Sequence, residues 1–581
     1  MQNYNYIKLI EQTVYYNVRK KFGQCSISLA KFKNYEDFKQ NFHLEAWDAV
    51  SILKGKILDE QKRIILDVGD TIDLEQIKSF QKIQIEDEIE IIIIKKKDTM
   101  VKLSDYVASF LEKEKINDIF VVPGSANVHL LDSVGKNNNL THICTQTEQV
   151  AAMAAESYAK LTGKIGVAMI SSGCCSTNAL TGVADAWVDS TPLLIISGQS
   201  QSDQTVEDVD VRQIGVQEID IINMVKPITK YAVKIKDPHS IRYHLEKALF
   251  LSQNSRPGPV WIDLPIDIQG MTIDEEELIA FEPASAQTIN YHSNQEILSS
   301  KVSEVLHLLK KAQRPVILAG MGIRIAGAEQ KFMDLIEQLQ LPVLTTKRGA
   351  DLLFEDHPLY FGRPGAYGQR SANFIIQNCD VLLSIGARLS LPLIGRNYKA
   401  FARGARKIVV DIDPLELKKI TITPDIAISC DTFQFCTEML HYKDQYAKPD
   451  ISVWMQRCAE WKTKYASEPH HFVADTVSAY LVMHTLSQEL PAASILTIDG
   501  GSSIVFAMHQ FKFKTGQRLI SSTGLDNMSF GLPAAIGACI GNKGKTVYCI
   551  CEDRGFQKNL QELETIIQYH LPIKIIILNH R

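Results

Sequence analysis

Thr147-Glu148-Gln149-Val150-Ala151-Ala152-Met153-Ala154-Ala155-Glu156-Ser157-Tyr158-Ala159-Lys160-Leu161-Thr162-Gly163 decides how this chain is read. Its alanines let a helix pack closely on its neighbours. Glu148, where a preceding strand would turn into that helix, can point a carboxyl into a buried crevice. A lone glutamate at a helix start is more often a surface residue stabilised by the helix dipole, so the surrounding sequence has to choose.

Outward from this stretch, Ile119-Phe120-Val121-Val122 lies before it, and Ile165 to Ile170 and Leu193 to Ser197 lie after it. Short apolar runs alternating with helical stretches give the rhythm of a parallel α/β sheet. The rhythm returns from about Glu296, with strands expected at Pro315 to Ala319, Val381 to Ile385 and Ile408 to Asp413. It returns again from about Val473, with strands expected at Ile495 to Ile498, Thr546 to Ile550 and Ile573 to Leu578. Polar stretches around Ile273 to Asn294 and Tyr442 to Asp450 read as linkers. The expected fold class is α/β: three doubly wound parallel-sheet domains at 101–275, 290–445 and 465–581, after a small, mainly helical domain at 1–100.

Length agrees, because 581 residues exceed one core when domains usually run to about 100 to 200 residues. A formal net charge of -5 gives no electrostatic reason to expect nucleic acid as a partner. No segment offers the roughly 18 predominantly apolar residues of a membrane span, and Met1 to Phe22 lacks a signal-peptide core. Eleven cysteines without a CxxC pair or a disulfide rhythm fit a reducing cytoplasm.

Residues 1–100 read differently. Apolar residues recur at helical spacing in Leu44 to Ile57, and the charged stretch Glu86 to Lys97 is β-like. Phe42 to Val50 with Asp67 to Ile77 faintly resembles an acyl carrier protein around its pantetheine-bearing helix. The serine that would carry the group is absent, since Glu45-Ala46 stands in its place. The segment is then a non-carrying docking module or an unrelated helical domain.

The glutamate stretch follows Pro123-Gly124 and precedes Ser171-Ser172-Gly173-Cys174-Cys175-Ser176-Thr177-Asn178. Next come Ala179-Leu180-Thr181-Gly182-Val183-Ala184-Asp185-Ala186-Trp187, the block Asp189 to Gln199, and Arg256-Pro257-Gly258-Pro259-Val260-Trp261-Ile262-Asp263-Leu264-Pro265. In this order the blocks resemble acetolactate synthase and its close thiamine-diphosphate-dependent relatives, from about Leu103 to the end of the chain. The resemblance implies a pyrimidine-binding domain (101–275), a central domain (290–445) and a diphosphate-binding domain (465–581). It implies that Glu148 hydrogen-bonds N1′ of the cofactor's aminopyrimidine and favours the imino tautomer that deprotonates thiazolium C2. Apolar surroundings that raise the pKa of the carboxyl would help.

Further roles follow from the same resemblance. Met528, in Met528-Ser529-Phe530-Gly531-Leu532-Pro533, would wedge under the cofactor. Gly501 and Ser502, in Asp499-Gly500-Gly501-Ser502-Ser503, would present backbone N–H groups to the diphosphate. Gln217, in Arg212-Gln213-Ile214-Gly215-Val216-Gln217-Glu218, would donate to a developing oxyanion, the alternative being an ordinary polar loop. The middle unit, with Gly320 to Arg324 and Gly386-Ala387-Arg388, is similar to the domain that holds a non-catalytic FAD in some relatives and nothing in others. Arg324 and Arg388 would meet the flavin phosphates or serve as surface charges.

One motif departs from the family. Where the relatives have Gly-Asp-Gly and, later, Asn-Asn around Mg2+ and the diphosphate, this chain reads Cys551-Glu552-Asp553-Arg554-Gly555 and Leu578-Asn579-His580-Arg581. Asp553 keeps its place as a metal ligand, Asn579 keeps the first asparagine as a cofactor contact, and His580 replaces the second, a poorer ligand for a hard cation. Glu552 would bring negative charge towards the diphosphate, which Arg554 offsets only if its longer side chain fits. The chain also stops before the residue whose carbonyl completes the metal site in the relatives. It is therefore expected to be a shortened or mutated descendant of an enzyme, or a fragment of one.

The resemblance further implies a homodimer or homotetramer with the site between subunits, and a place in branched-chain amino acid biosynthesis. The reaction would decarboxylate a 2-oxo acid such as pyruvate and pass the two-carbon unit to a second carbonyl compound. The competing expectations are a catalytically inactive scaffold or regulatory partner, and a decarboxylase or a ligase acting on a sugar-derived carbonyl.

Overall fold

The computed structural model describes the backbone of five strands before residue 97 and then residues 99–206, 210–283, 295–442, 444, 446–466 and 476–579. The five strands are β1 (Cys25–Phe32), β2 (Ala49–Leu58), β3 (Ile64–Leu66), β4 (Thr71–Asp73) and β5 (Gln84–Lys96). They form one antiparallel sheet ordered β1-β5-β2-β3, with β4 on β2. Among the described residues this corrects the helix expected over Leu44 to Ile57, since Ala49 to Ile57 lies in β2. The β-branched run Ile91-Ile92-Ile93-Ile94 in β5 pairs with Ala49 to Ile52, the remainder of β5 pairs with the rest of β2, and pairing overrides the local pattern. The Glu45-Ala46 pair lies outside the described residues. This unit, residues 1–100, is compact by itself, as is 101–581.

Within 101–581 the first sheet is built from β6 (Asp118–Val121), β7 (Thr141–Cys144), β8 (Gly166–Ile170), β9 (Leu193–Gln199), β10 (Tyr231–Lys234) and β11 (Pro259–Pro265). All pairings are parallel, in the order β10-β11-β9-β8-β6-β7. Ile195 lies opposite Ala168 and Trp261. Alternation sends Phe120, Ala168, Ile195 and Trp261 into one core and Val121, Met169, Leu194 and Ile262 into another, so both faces are covered.

The central sheet has its own core and the order β13-β12-β14-β15-β16. Its strands are β12 (Pro315–Ala319), β13 (Val343–Thr345), β14 (Val381–Ile385), β15 (Arg406–Asp411) and β16 (Ile426–Ser429). The third sheet contains β17 (Ile495–Ile498), β18 (Arg518–Ser521), β19 (Val547–Glu552) and β20 (Ile573–Leu578). It too is parallel, ordered β18-β17-β19-β20.

The first and third sheets share one core, because α1 (Glu148–Thr162) packs directly on the helix Gly531–Gly541. Ser157 Oγ donates to the Ala534 carbonyl at 2.7 Å. A Cβ on Gly537 would lie 1.9 Å from the Ala154 carbonyl oxygen, so only glycine permits this approach. The small residues that identify the stretch are thus the ones that join the two domains.

A buried ion cluster closes the same joint. Lys160 Nζ meets Glu156 at 2.7 Å, Asp189 at 2.8 Å and the Ser521 carbonyl at 3.0 Å. The three carboxylates of Glu156, Asp185 and Asp189 converge closely enough for a cation, and the Lys160 ammonium supplies one. Burial, with Asp185 beside it, pushes Glu156 well above the ordinary carboxylate range, and burial raises Asp185 to about 6.

Candidate active site

Glu148 opens α1 immediately after β7, with Thr147 as the cap whose hydroxyl accepts from Val150 N at 3.4 Å. Its carboxylate is buried and accepts a hydrogen bond from Asn178 Nδ2 at 2.8 Å. The Cys175 thiol donates to the same carboxylate, and burial together with that contact pushes the thiol up to about 12. Asn178 and Cys175 both come from the segment after β8, so two strand ends converge on one carboxyl. The next residue, Gln149, reaches the third domain, its Nε2 lying 3.2 Å from Ser529 Oγ. Gln146 N donates to Glu562 at 3.0 Å.

Gln217 lies on the same loop cluster through its backbone. A Cβ on Gly173 would sit 2.1 Å from the Gln217 carbonyl, two residues before Cys175. Gln217 has φ 58° and an exposed side chain, and the fold shows no direct contact between it and Glu148. Neighbouring Glu218 is buried and accepts from Val206 N at 3.1 Å and Ile214 N at 3.3 Å, tying the loop's two limbs together.

The other end of the site is the carboxyl edge of the third sheet, where ligands of open α/β folds collect. After β17, Gly501 takes φ 92°, a conformation that favours glycine, and starts the helix Ser502–Gln510. A Cβ there would lie 3.3 Å from Glu552 Oε1 and 3.6 Å from Met528 Cγ, so Gly501, Met528 and Glu552 meet. Asp553 follows β19, and Asn579 follows the adjacent β20, whose Leu578 lies opposite Glu552, so both reach the same edge. Asn579 is exposed, and His580 lies outside the described residues.

Glu552 is the residue this edge is organised around. It is buried, and its Oε1 accepts from Ser502 Oγ at 2.6 Å, Ser503 N at 2.7 Å and Ser503 Oγ at 3.3 Å. Arg554 is exposed, and the serines at the helix start donate to the Glu552 carboxylate. Asp499 sits beneath, accepting from Gly531 N at 2.7 Å and Glu552 N at 3.1 Å. Burial, with the Glu552 charge adding to it, raises Asp499 to about 7.

These residues fit the aminopyrimidine end of a thiamine diphosphate, where a buried carboxyl is oriented by an amide and a thiol. At the diphosphate end the donors at the helix start are already satisfied by Glu552. Sequence reasoning missed Asn178, Cys175 and Ser503 as partners. The only signal for the Ser503 contact was the acidic residue where the relatives have glycine.

A cavity of about 1430 Å³ runs along the central domain and is lined by Arg256, Arg348, Gly386 and Arg388 among others. Arg324 does not line it. That guanidinium is turned onto Asp351 at 2.7 Å and Glu329 at 3.2 Å, which corrects its expected place among phosphate ligands. Arg256 is bound to Asp413 at 2.9 Å and Glu416 at 3.1 Å.

Three family models match in chain order. Residues 101–224 match the thiamine pyrophosphate enzyme N-terminal TPP binding domain, 302–439 its central domain and 499–581 its C-terminal TPP binding domain. The chain belongs to the thiamine pyrophosphate enzyme family, as an acetolactate synthase-like member. It is 34% identical to the probable acetolactate synthase large subunit of Methanococcus aeolicus, over 81% of this chain and 79% of that protein. Identity to the corresponding Methanocaldococcus jannaschii protein is also 34%, over 83% and 80%. The acetolactate synthase isozyme 3 large subunit of Escherichia coli is 30% identical, over 83% of each chain. Among the described residues no helix is long and apolar enough to cross a membrane.

Proposed function

We propose that the chain is an acetolactate synthase-type carboligase, which decarboxylates a 2-oxo acid such as pyruvate and transfers the two-carbon unit to a second carbonyl compound. The observation that carries this reading is the buried Glu148 carboxyl, oriented by Asn178 at 2.8 Å and by Cys175 on a helix seated against the third domain. Thiamine diphosphate, when bound, supplies the nucleophilic carbon. Glu148 receives the aminopyrimidine end and holds the proton at its carboxyl oxygen, while Asn178 keeps that oxygen in place. Gln217 would donate from its amide to the developing oxyanion of the substrate. Asp553, at the end of β19, would hold Mg2+ together with His580, and Asn579, at the end of the adjacent β20, would contact the cofactor.

The reading includes a cytoplasmic homodimer or homotetramer serving branched-chain amino acid biosynthesis. The cavity beside Arg388 is large enough for a flavin held without a catalytic role. A second reading, a non-catalytic homologue that acts as scaffold or regulatory partner, is favoured by one observation, the Glu552 carboxylate at the diphosphate end.

The test is calorimetric titration of the full chain with thiamine diphosphate and Mg2+, beside pyruvate consumption by wild type and Glu148→Gln. Saturable binding, with turnover falling about 10²- to 10⁴-fold in the variant, is expected. Binding without turnover in the wild type, or turnover untouched by the substitution, removes the carboligase.

A further inference from the structure

The start of the helix Ser502–Gln510 is the anion seat of the third domain. It follows a strand at the carboxyl edge of a parallel sheet, and the Ser503 N–H and the Ser502 and Ser503 hydroxyls donate there. The family match places a TPP binding domain here. Yet this seat already holds an anion, and the anion is covalently part of the chain.

Glu552 ends β19 beside that helix and spends its carboxylate on Ser502 Oγ, Ser503 N and Ser503 Oγ. Charge-assisted bonds from hydroxyl and amide donors, together with the positive end of the helix, make this a favourable place for one negative charge. A diphosphate needs the same donors. It would also arrive against the negative charges of Glu552 itself and Asp553. An occupant held beside the seat by the neighbouring strand competes at high effective concentration, which reduces the apparent affinity of any free ligand to the fraction of chains in which the seat is open.

We propose that Glu552 is a built-in competitor for the cofactor's diphosphate, seated on the start of the helix Ser502–Gln510. Loading the site then requires the carboxylate to swing away. Its removal frees a seat for inorganic pyrophosphate and for thiamine diphosphate alike. The inference rests on the placement of the diphosphate at this helix, and not on turnover.

The experiment is calorimetric titration of the full-length wild type, Glu552→Gln and Glu552→Gly with inorganic pyrophosphate and, separately, thiamine diphosphate, each with Mg2+. Thermal midpoints with and without pyrophosphate provide a second readout. Glu552→Gly is expected to bind both ligands at least ~10-fold tighter than wild type, with Glu552→Gln between them, since losing one opposing charge and one tethered occupant opens the seat. Pyrophosphate should raise the midpoint of Glu552→Gly and leave the wild type unmoved. If Glu552→Gly fails to fold, the neutral and nearly isosteric Glu552→Gln decides. Equal affinity in all three proteins, or no binding by any of them, overturns the proposal. A variant that binds thiamine diphosphate tightly and consumes no pyruvate leaves this inference standing and removes the carboligase reading.

Discussion

Glu148 and Glu552 are both buried carboxylates at the carboxyl edge of a parallel sheet, and each is tied to the start of a helix. Glu148 begins its own helix and keeps its charge-bearing oxygen on Asn178 and Cys175, leaving a carboxyl that faces a shared core. Glu552 instead reaches across to the helix of another strand and satisfies donors that an incoming anion would use. The same side chain thus equips one end of a site and fills the other. What distinguishes them is which helix start the carboxylate serves and how many donors it consumes.

Both ends belong to one body only while the joint between the first and third domains holds, and the largest expected effect lies there. Lys160 sits in the joint, bonded to Glu156, Asp189 and the Ser521 carbonyl. Replacing it with methionine leaves buried carboxylates without their cation, and breaking a buried ion pair from one side costs about 3–5 kcal/mol. Urea unfolding of Lys160→Met should show a loss of that size. A loss under about 1 kcal/mol would mean that the first and third domains do not depend on this contact.

Burial at the two ends also predicts a pH dependence. Asp263, on β11, is raised from 3.8 to about 7 by burial, against the opposing hydrogen bonds from Ser197 at 2.5 Å and Gln199 at 3.0 Å. The folded chain therefore keeps a proton that the unfolded chain releases near 4. The stabilisation is complete below that pH and is lost as pH rises towards 7, by about 1.4 kcal/mol per pH unit within the window. Denaturation at pH 5 and pH 6.5 should show the slope, and Asp263→Asn should flatten it. The remaining slope reports the other buried acids raised in the same direction, Asp499 at the diphosphate end, Asp185 and Glu156 in the joint and Asp411 in the central domain. An unchanged slope in Asp263→Asn would remove Asp263 from the account.

Legibility in the sequence followed the same division. Strands at Pro315–Ala319, Val381–Ile385 and Ile495–Ile498 lie where the apolar runs put them, because fully buried parallel strands need continuous apolar sequence, and the partly exposed edge strand Ile573–Leu578 also falls on its apolar run. The short strand Thr141–Cys144 at the sheet's edge gave no such run and went unnoticed. β2 was misread because its apolar spacing fits a helix until a distant strand pairs with it. At the site, Glu148 was legible through its helix. The Glu552 contact was not, since a bond between Ser503 and a residue on another strand depends on sheet order, which periodicity does not carry.

The smallest effect is also the sharpest probe of the contrast. Ser502 Oγ lies 2.6 Å from Glu552 Oε1, and a single hydrogen bond at a partly exposed site contributes about 1 kcal/mol. Ser502→Ala should lower stability by that amount in wild type and by much less once position 552 is glycine, giving a coupling of at least about 0.5 kcal/mol in a double-mutant cycle. If the hydroxyl instead serves the helix start alone, as an ordinary cap would, Ser502→Ala costs the same in both backgrounds and the cycle closes near zero. Stability therefore separates a carboxylate bound in the seat from one that merely lies near it, without any ligand being present.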